Sequence, residues 1–167
     1  MGERERGVEV IPSTTPEPGE GATPYSLQEQ GRRVYLFALV ETATLLPHEQ
    51  VEQERLLILV KQIESDGALH SPVIVDRNSM VILDGHHRVK ALKLLGCALT
   101  PVYLVDYSDP SIRVTQWRDV RVSKREVVEA GLSGRLYPPK VSRHVWRVPP
   151  RERPVPLSLL REFLSWA

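Results

Sequence analysis

From Arg33 onward, short apolar runs alternate with segments of helical period. The run Val34-Tyr-Leu-Phe-Ala-Leu-Val40 has the composition of a buried strand. Over residues 49–65, Leu56, Leu59, Val60 and Ile63 recur at helical spacing while Glu52, Gln53 and Lys61 fall on the other face, which predicts a helix ended by Asp66-Gly67. Two β-rich runs, Val73-Ile-Val-Asp76 and Met80-Val-Ile-Leu83, flank the turn-forming Arg77-Asn78-Ser79 and predict a hairpin. A second helix is expected over residues 86–95, with Val89, Leu92 and Leu95 on one stripe and Gly96 closing it. Residues 101–106 and 112–117 then read as strands. Ser123-Lys-Arg-Glu126 has the spacing of a capping box and opens a short helix expected to stop at Gly131.

Residues 136–144 read as a rigid, basic loop and 151–156 as an extended linker. A last helix over 157–166 would need a docking surface for Leu157, Leu160 and Leu164. The alternation implies an α/β fold, a small mixed sheet with helices packed on it.

Composition sets the outer limits. A chain of 167 residues, 41% hydrophobic, is large enough for one domain with a genuine core. Residues 1–31 hold four Pro, five Gly and six Glu without period and read as a flexible lead-in. The domain proper is expected over 32–148, followed by a Pro- and Arg-rich linker and helix over 149–167. A net charge of +1 gives no general argument for nucleic acid or membrane. The single cysteine, Cys97, excludes an intrachain disulfide or a multi-cysteine metal site. No apolar stretch has signal-peptide or membrane-spanning character, so a soluble, cytoplasmic protein is expected.

The chemistry concentrates where the strand Val81-Ile-Leu83 meets Asp84-Gly85-His86-His87-Arg88. Asp84 can cap the helix and Gly85 permits a close or left-handed backbone. The unpaired amides of the first turn then form a phosphate site, with the Arg88 fork beside them. His86 and His87 are adjacent and diverge on a helix, without the i, i+4 spacing that brings two imidazoles to one ion. No direct protein metal ligands are assigned. Two further polar clusters lie at element boundaries, Pro47-His48-Glu49-Gln50 and Pro139-Lys140-Val141-Ser142-Arg143-His144.

These three clusters, in this order, resemble the ParB/sulfiredoxin superfamily, and within it the archaeal free serine kinases. The resemblance implies a compact ParB/sulfiredoxin-like domain that phosphorylates free L-serine to O-phosphoserine, within serine metabolism and cysteine biosynthesis. It implies ADP or ATP as donor, ADP-dependence in particular, and Mg²⁺ as cofactor. Glu49 falls on the family's catalytic base, at what the periodicity makes a helix start, and Asp84 on the acidic residue beside the phosphates. Gly85, His86, His87 and Arg88 fall on the phosphate-binding residues. Trp117, Lys140, Ser142, Arg143 and His144 fall on the amino-acid side of the pocket, with cationic groups for a carboxylate or the new phosphate.

Two departures stand out: only 20 residues separate Trp117 from Pro138, and Val141 stands where the archaeal enzyme has a hydroxyl residue. Sulfiredoxin activity needs a cysteine where this chain has His86. The alternative is a nucleotide-binding ParB-like transcriptional regulator or DNA-binding module without kinase activity. Nucleic acid enters only there, through the seven Lys and Arg of residues 135–167.

Overall fold

The computed structural model describes residues 8–9, 35–116 and 121–162. Strands β1 (Val8–Glu9), β2 (Leu36–Glu41), β4 (Val73–Asp76), β5 (Ile82–Asp84) and β6 (Leu99–Val105) make a five-stranded sheet in the order β1-β2-β6-β4-β5. The sheet is mixed, because β4 runs parallel to β6 while the other neighbours are antiparallel. Helix α1 (Gln53–Asp66) leads through the short β3 (Ala68–Leu69) into β4, and α2 (His86–Leu94) leaves β5. After β6 come β7 (Arg113–Gln116), α3 (Lys124–Ser133), β8 (Ser142–Val145), β9 (Val155–Pro156) and α4 (Leu157–Arg161).

Strand alternation fills both faces of the sheet. Ala38, Val40, Val73, Val75, Val102 and Leu104 enter one core with Ile82 and Val89. Their neighbours Phe37, Leu39, Ile74, Tyr103 and Val105 enter a larger one with Leu56 and Ile63 of α1 and Leu92 of α2. The segment expected as linker and final helix is part of this second core. Val155, Leu157 and Leu160 are buried there, and β9 pairs antiparallel with β3. Leu164 lies outside the described residues.

Three local expectations are corrected by packing. Gly131 does not end α3: the helix continues to Ser133 and stops at Gly134, φ +75°. A Cβ on Gly131 would lie 2.5 Å from Val81 Cγ2, so the glycine buys close approach of α3 to the sheet. Residues 136–144 are more than a loop, since Val141 is buried and Ser142 begins β8, paired with β7. Glu49 is not at a helix start. Residues 46–50 are extended instead, with Leu46 bridged to Val81 and Glu49 to Tyr137. The backbone bonds Gln50 N–H to Tyr137 O and Tyr137 N–H to His48 O, both 2.8 Å, hold Glu49 ahead of α1.

Candidate active site

The turn from β5 into α2 is built around Gly85, whose φ of +116° an L side chain rarely adopts. A Cβ there would also meet the Arg88 guanidinium at 2.9 Å. Gly85 itself is the N-cap and no side chain caps the helix, so Asp84 does not have the capping role its position suggested. The first intrahelical bond runs from Val89 N–H to Gly85 O, ahead of which the amides of His86, His87 and Arg88 have no helical acceptor.

The two histidine rings turn away from that opening. His86 Nε2 accepts the His48 N–H at 3.1 Å, and His87 Nε2 accepts the Glu52 N–H at 3.0 Å. Each ring therefore carries its proton on Nδ1. Together they fasten residues 48–52 to the start of α2. Burial, then the neighbouring His48, pushes the His86 imidazole down to about 3, so it is neutral at physiological pH. Burial and then Arg55 lower His87 as well.

Glu49 stands beside His86 with its side chain only 10% exposed. Its Oε1 accepts two bonds from Ser142 of β8, the N–H at 2.7 Å and the hydroxyl at 2.5 Å. Burial by itself would raise this carboxyl. The hydrogen bonds from His48 and Ser142 and the nearby His86 outweigh it and bring Glu49 down to about 2. Behind Ser142 lies His48, fully buried, with Nε2 2.8 Å from the Ser142 hydroxyl and Nδ1 2.6 Å from Ile82 O.

Glu49 and His86 line a cavity of about 350 Å³ with Pro47, Ile82, Lys90 and Lys93. Asp84 and Arg88 line a separate cavity of about 300 Å³ with Ser71 and Arg151. The residues expected to form one site thus flank the α2 start on two openings. Arg88 is also partly committed, since Nη1 donates to the carbonyls of Ser71 and Pro72, both at 2.8 Å, and Nη2 is 3.6 Å from Asp84. Lys140, at a positive φ of 58°, holds its ammonium 3.8 Å from Glu52. Arg143 lies on β8, exposed and offset by one residue from Ser142 and His144.

His144 does not supply the positive charge expected of it. Burial, then His48, holds it down at about 3, and its Nε2 accepts the Tyr107 hydroxyl at 2.8 Å while the ring stacks on Trp146. Trp117 lies outside the described residues.

Sequence reasoning placed Pro-His-Glu-Gln among the polar clusters but gave His48 no role. It also missed Lys90 and Lys93. The helical spacing 86, 90, 93 carried that signal, because those positions share one face of α2.

No family model matches the chain. It is 35% identical over 83 residues to an ATP-dependent L-serine kinase of Staphylothermus marinus, covering 47% of this chain and 33% of that protein. It is 36% identical over 86 residues to a ParB-like protein of Sulfolobus acidocaldarius, covering 52% and 43%. An ADP-dependent L-serine kinase of Thermococcus kodakarensis is 27% identical over 85 residues, covering 48% and 35%. The matches therefore span less than half the length of these curated relatives.

Among solved structures, a variant of free serine kinase in complex with AMP superposes with a TM-score of 0.68 at 18% identity, covering 75% of this chain and 93% of that one. SbnI with a C-terminal truncation, from Staphylococcus aureus, gives 0.67 at 15% identity, covering 83% and 96%. The chain has the small mixed α/β fold of free serine kinase and SbnI, and its sequence relatives include L-serine kinases and a ParB-like protein.

Proposed function

We propose that this chain transfers a phosphoryl group from ADP or ATP to the hydroxyl of free L-serine, giving O-phosphoserine in the cytoplasm. The observation that carries the reading is Glu49, a nearly buried carboxylate kept ionised, which lines a cavity together with His86 at the start of α2. Kinase names among the sequence relatives support it.

Phosphoryl transfer asks a protein chiefly for positioning and charge stabilisation. The first-turn amides of His86, His87 and Arg88, left-handed Gly85 and the positive end of α2 suit the phosphate oxygens. The neutral rings of His86 and His87 keep residues 48–52 against that turn. Glu49 takes the proton of the serine hydroxyl as its oxygen attacks phosphorus and the bond to the leaving nucleotide breaks. Lys140 and Arg143 are assigned to the acceptor's carboxylate or new phosphate with Trp117, and Ser142 acts through Glu49.

Mg²⁺ fits a nucleotide-borne role. Among the described residues no three His, Cys, Asp or Glu stand together as a ready ligand set, while Asp84 offers a carboxylate that is 56% exposed. Phosphate oxygens would supply most ligands and Asp84 one, and the ion would neutralise charge on the phosphates. Among the described residues no helix is long and apolar enough to cross a membrane.

The test is to incubate the protein with Mg²⁺, L-serine and either ADP or ATP and follow O-phosphoserine by ³¹P NMR. Formation with one donor identifies it, kinase relatives being named for either donor. Tight nucleotide binding without phosphoserine from either donor refutes the kinase and favours a nucleotide-binding regulator, the reading supported by the ParB-like relative.

A further inference from the structure

Behind Glu49 lies an imidazole that the phosphoryl transfer above leaves without a task. His48 is fully buried, and its Nδ1 faces a carbonyl, Ile82 O, at 2.6 Å. A carbonyl only accepts, so Nδ1 carries a hydrogen. On the other side Nε2 is 2.8 Å from Ser142 Oγ, which is itself 2.5 Å from Glu49 Oε1. Ser142 has one hydroxyl hydrogen and two close neighbours to satisfy.

If that hydrogen lies on Glu49, Nε2 must donate to Oγ, and His48 is an imidazolium 3.5 Å from the carboxylate. If it lies on His48, Glu49 must be the acid and donate to Oγ. The two arrangements share all heavy-atom positions and differ by one hop of each hydrogen. Both hold one proton more than a neutral imidazole and a carboxylate would.

We propose that His48 and Ser142 are positioning residues that keep this proton on the line His48 Nε2–Ser142 Oγ–Glu49 Oε1 and so set the basicity of Glu49 toward the acceptor hydroxyl. The inference rests on the kinase reading for its catalytic consequence. In the first arrangement Glu49 is the carboxylate and its Oε1 is occupied by both Ser142 bonds, which leaves Oε2 to receive the acceptor's proton as the new O–P bond forms and the bond to the leaving phosphate breaks. The line itself neither gains nor loses a proton in that step.

The other charged or titratable groups around Glu49 are His86 and His87 of α2, His144 of β8, Lys90 and Lys93 across the cavity, and the Lys140–Glu52 pair. His86 and His144 are already neutral above about pH 4.

The experiment is a ¹³C-carboxyl NMR titration of Glu49 in the full chain, run beside the pH profile of kcat/KM for serine phosphorylation. Wild type, Ser142→Ala, Ser142→Thr and His48→Gln are compared. Removing the hydroxyl or the imidazole should raise the Glu49 midpoint, and the acid limb of the profile with it, by about 1–3 pH units. Ser142→Thr, which keeps a hydroxyl, should restore both. A midpoint that stays in place in Ser142→Ala, or in His48→Gln if the first variant does not fold, overturns the proposal and makes the pair a packing contact. The carboxyl titration needs no turnover. A wild type that forms no phosphoserine therefore sinks the kinase reading, whereas an unmoved midpoint sinks the proton line.

Discussion

Replacing Glu49 by Gln keeps the shape of the side chain and a carbonyl oxygen able to accept both Ser142 bonds, but removes the charge and the basic oxygen. The carboxyl falls from 4.5 to about 2 in the folded chain, held there by His48 and Ser142 against the cost of burial. At about 1.4 kcal/mol per pH unit, that drop is worth about 3 kcal/mol of stability to the wild type. The pKa is depressed on folding, so this contribution is fully present above pH 4.5 and is lost as the pH falls toward 2. Urea denaturation from pH 7 down to pH 3 should show the wild type more stable at neutrality and the two proteins converging on acidification. In the same variant, phosphoserine formation should fall by roughly 10²–10⁴, the usual contribution of a positioned base, while calorimetric affinity for the nucleotide stays unchanged. A stability difference independent of pH would refute the ionised, Ser142-bound carboxylate. Full turnover in the Gln variant would refute its role as base.

Three further substitutions probe how the site is supported. Gly131→Ala drives a Cβ to 2.5 Å from the buried Val81 and should cost about 1–3 kcal/mol in spite of alanine's better helix propensity, so an unchanged or raised melting temperature would refute that contact. Arg88→Ala leaves the Ser71 and Pro72 carbonyls without their donor, for about 1.5–3 kcal/mol lost in chemical denaturation. Weakened nucleotide binding at unchanged stability would instead show that Arg88 serves the phosphates and not the fold. Leu160→Ala, at a fully buried position of α4, should cost about 2–5 kcal/mol, and a neutral effect on the melting temperature would mean that α4 does not close the core.

Much of the frame was legible because it obeys short-range rules. Continuous apolar runs in Leu36–Glu41 and Val73–Asp76 mark strands that are buried on both faces. The Ser123–Glu126 capping box forms as spaced, with the Ser123 hydroxyl accepting from Glu126 N–H at 3.2 Å. Gly85 adopts the left-handed backbone that the strand-to-helix turn required. Each of these is an interaction over a few residues, and residue types within that reach are enough to specify it.

The site itself depended on contacts no local rule reaches. Ser142 and Glu49 are 93 positions apart, and only the pairing of residues 46–50 between β5 and Tyr137 brings them to hydrogen-bond distance. That same pairing keeps Glu49 off the helix that periodicity suggested, because backbone bonds to Tyr137 hold the segment extended. His86 and His87 fell on phosphate-binding positions, yet their rings face the 48–52 backbone. The identity of these residues named the chemistry. Burial and long-range hydrogen bonding decided which atom of each carries a proton, and so which is left to act on a substrate.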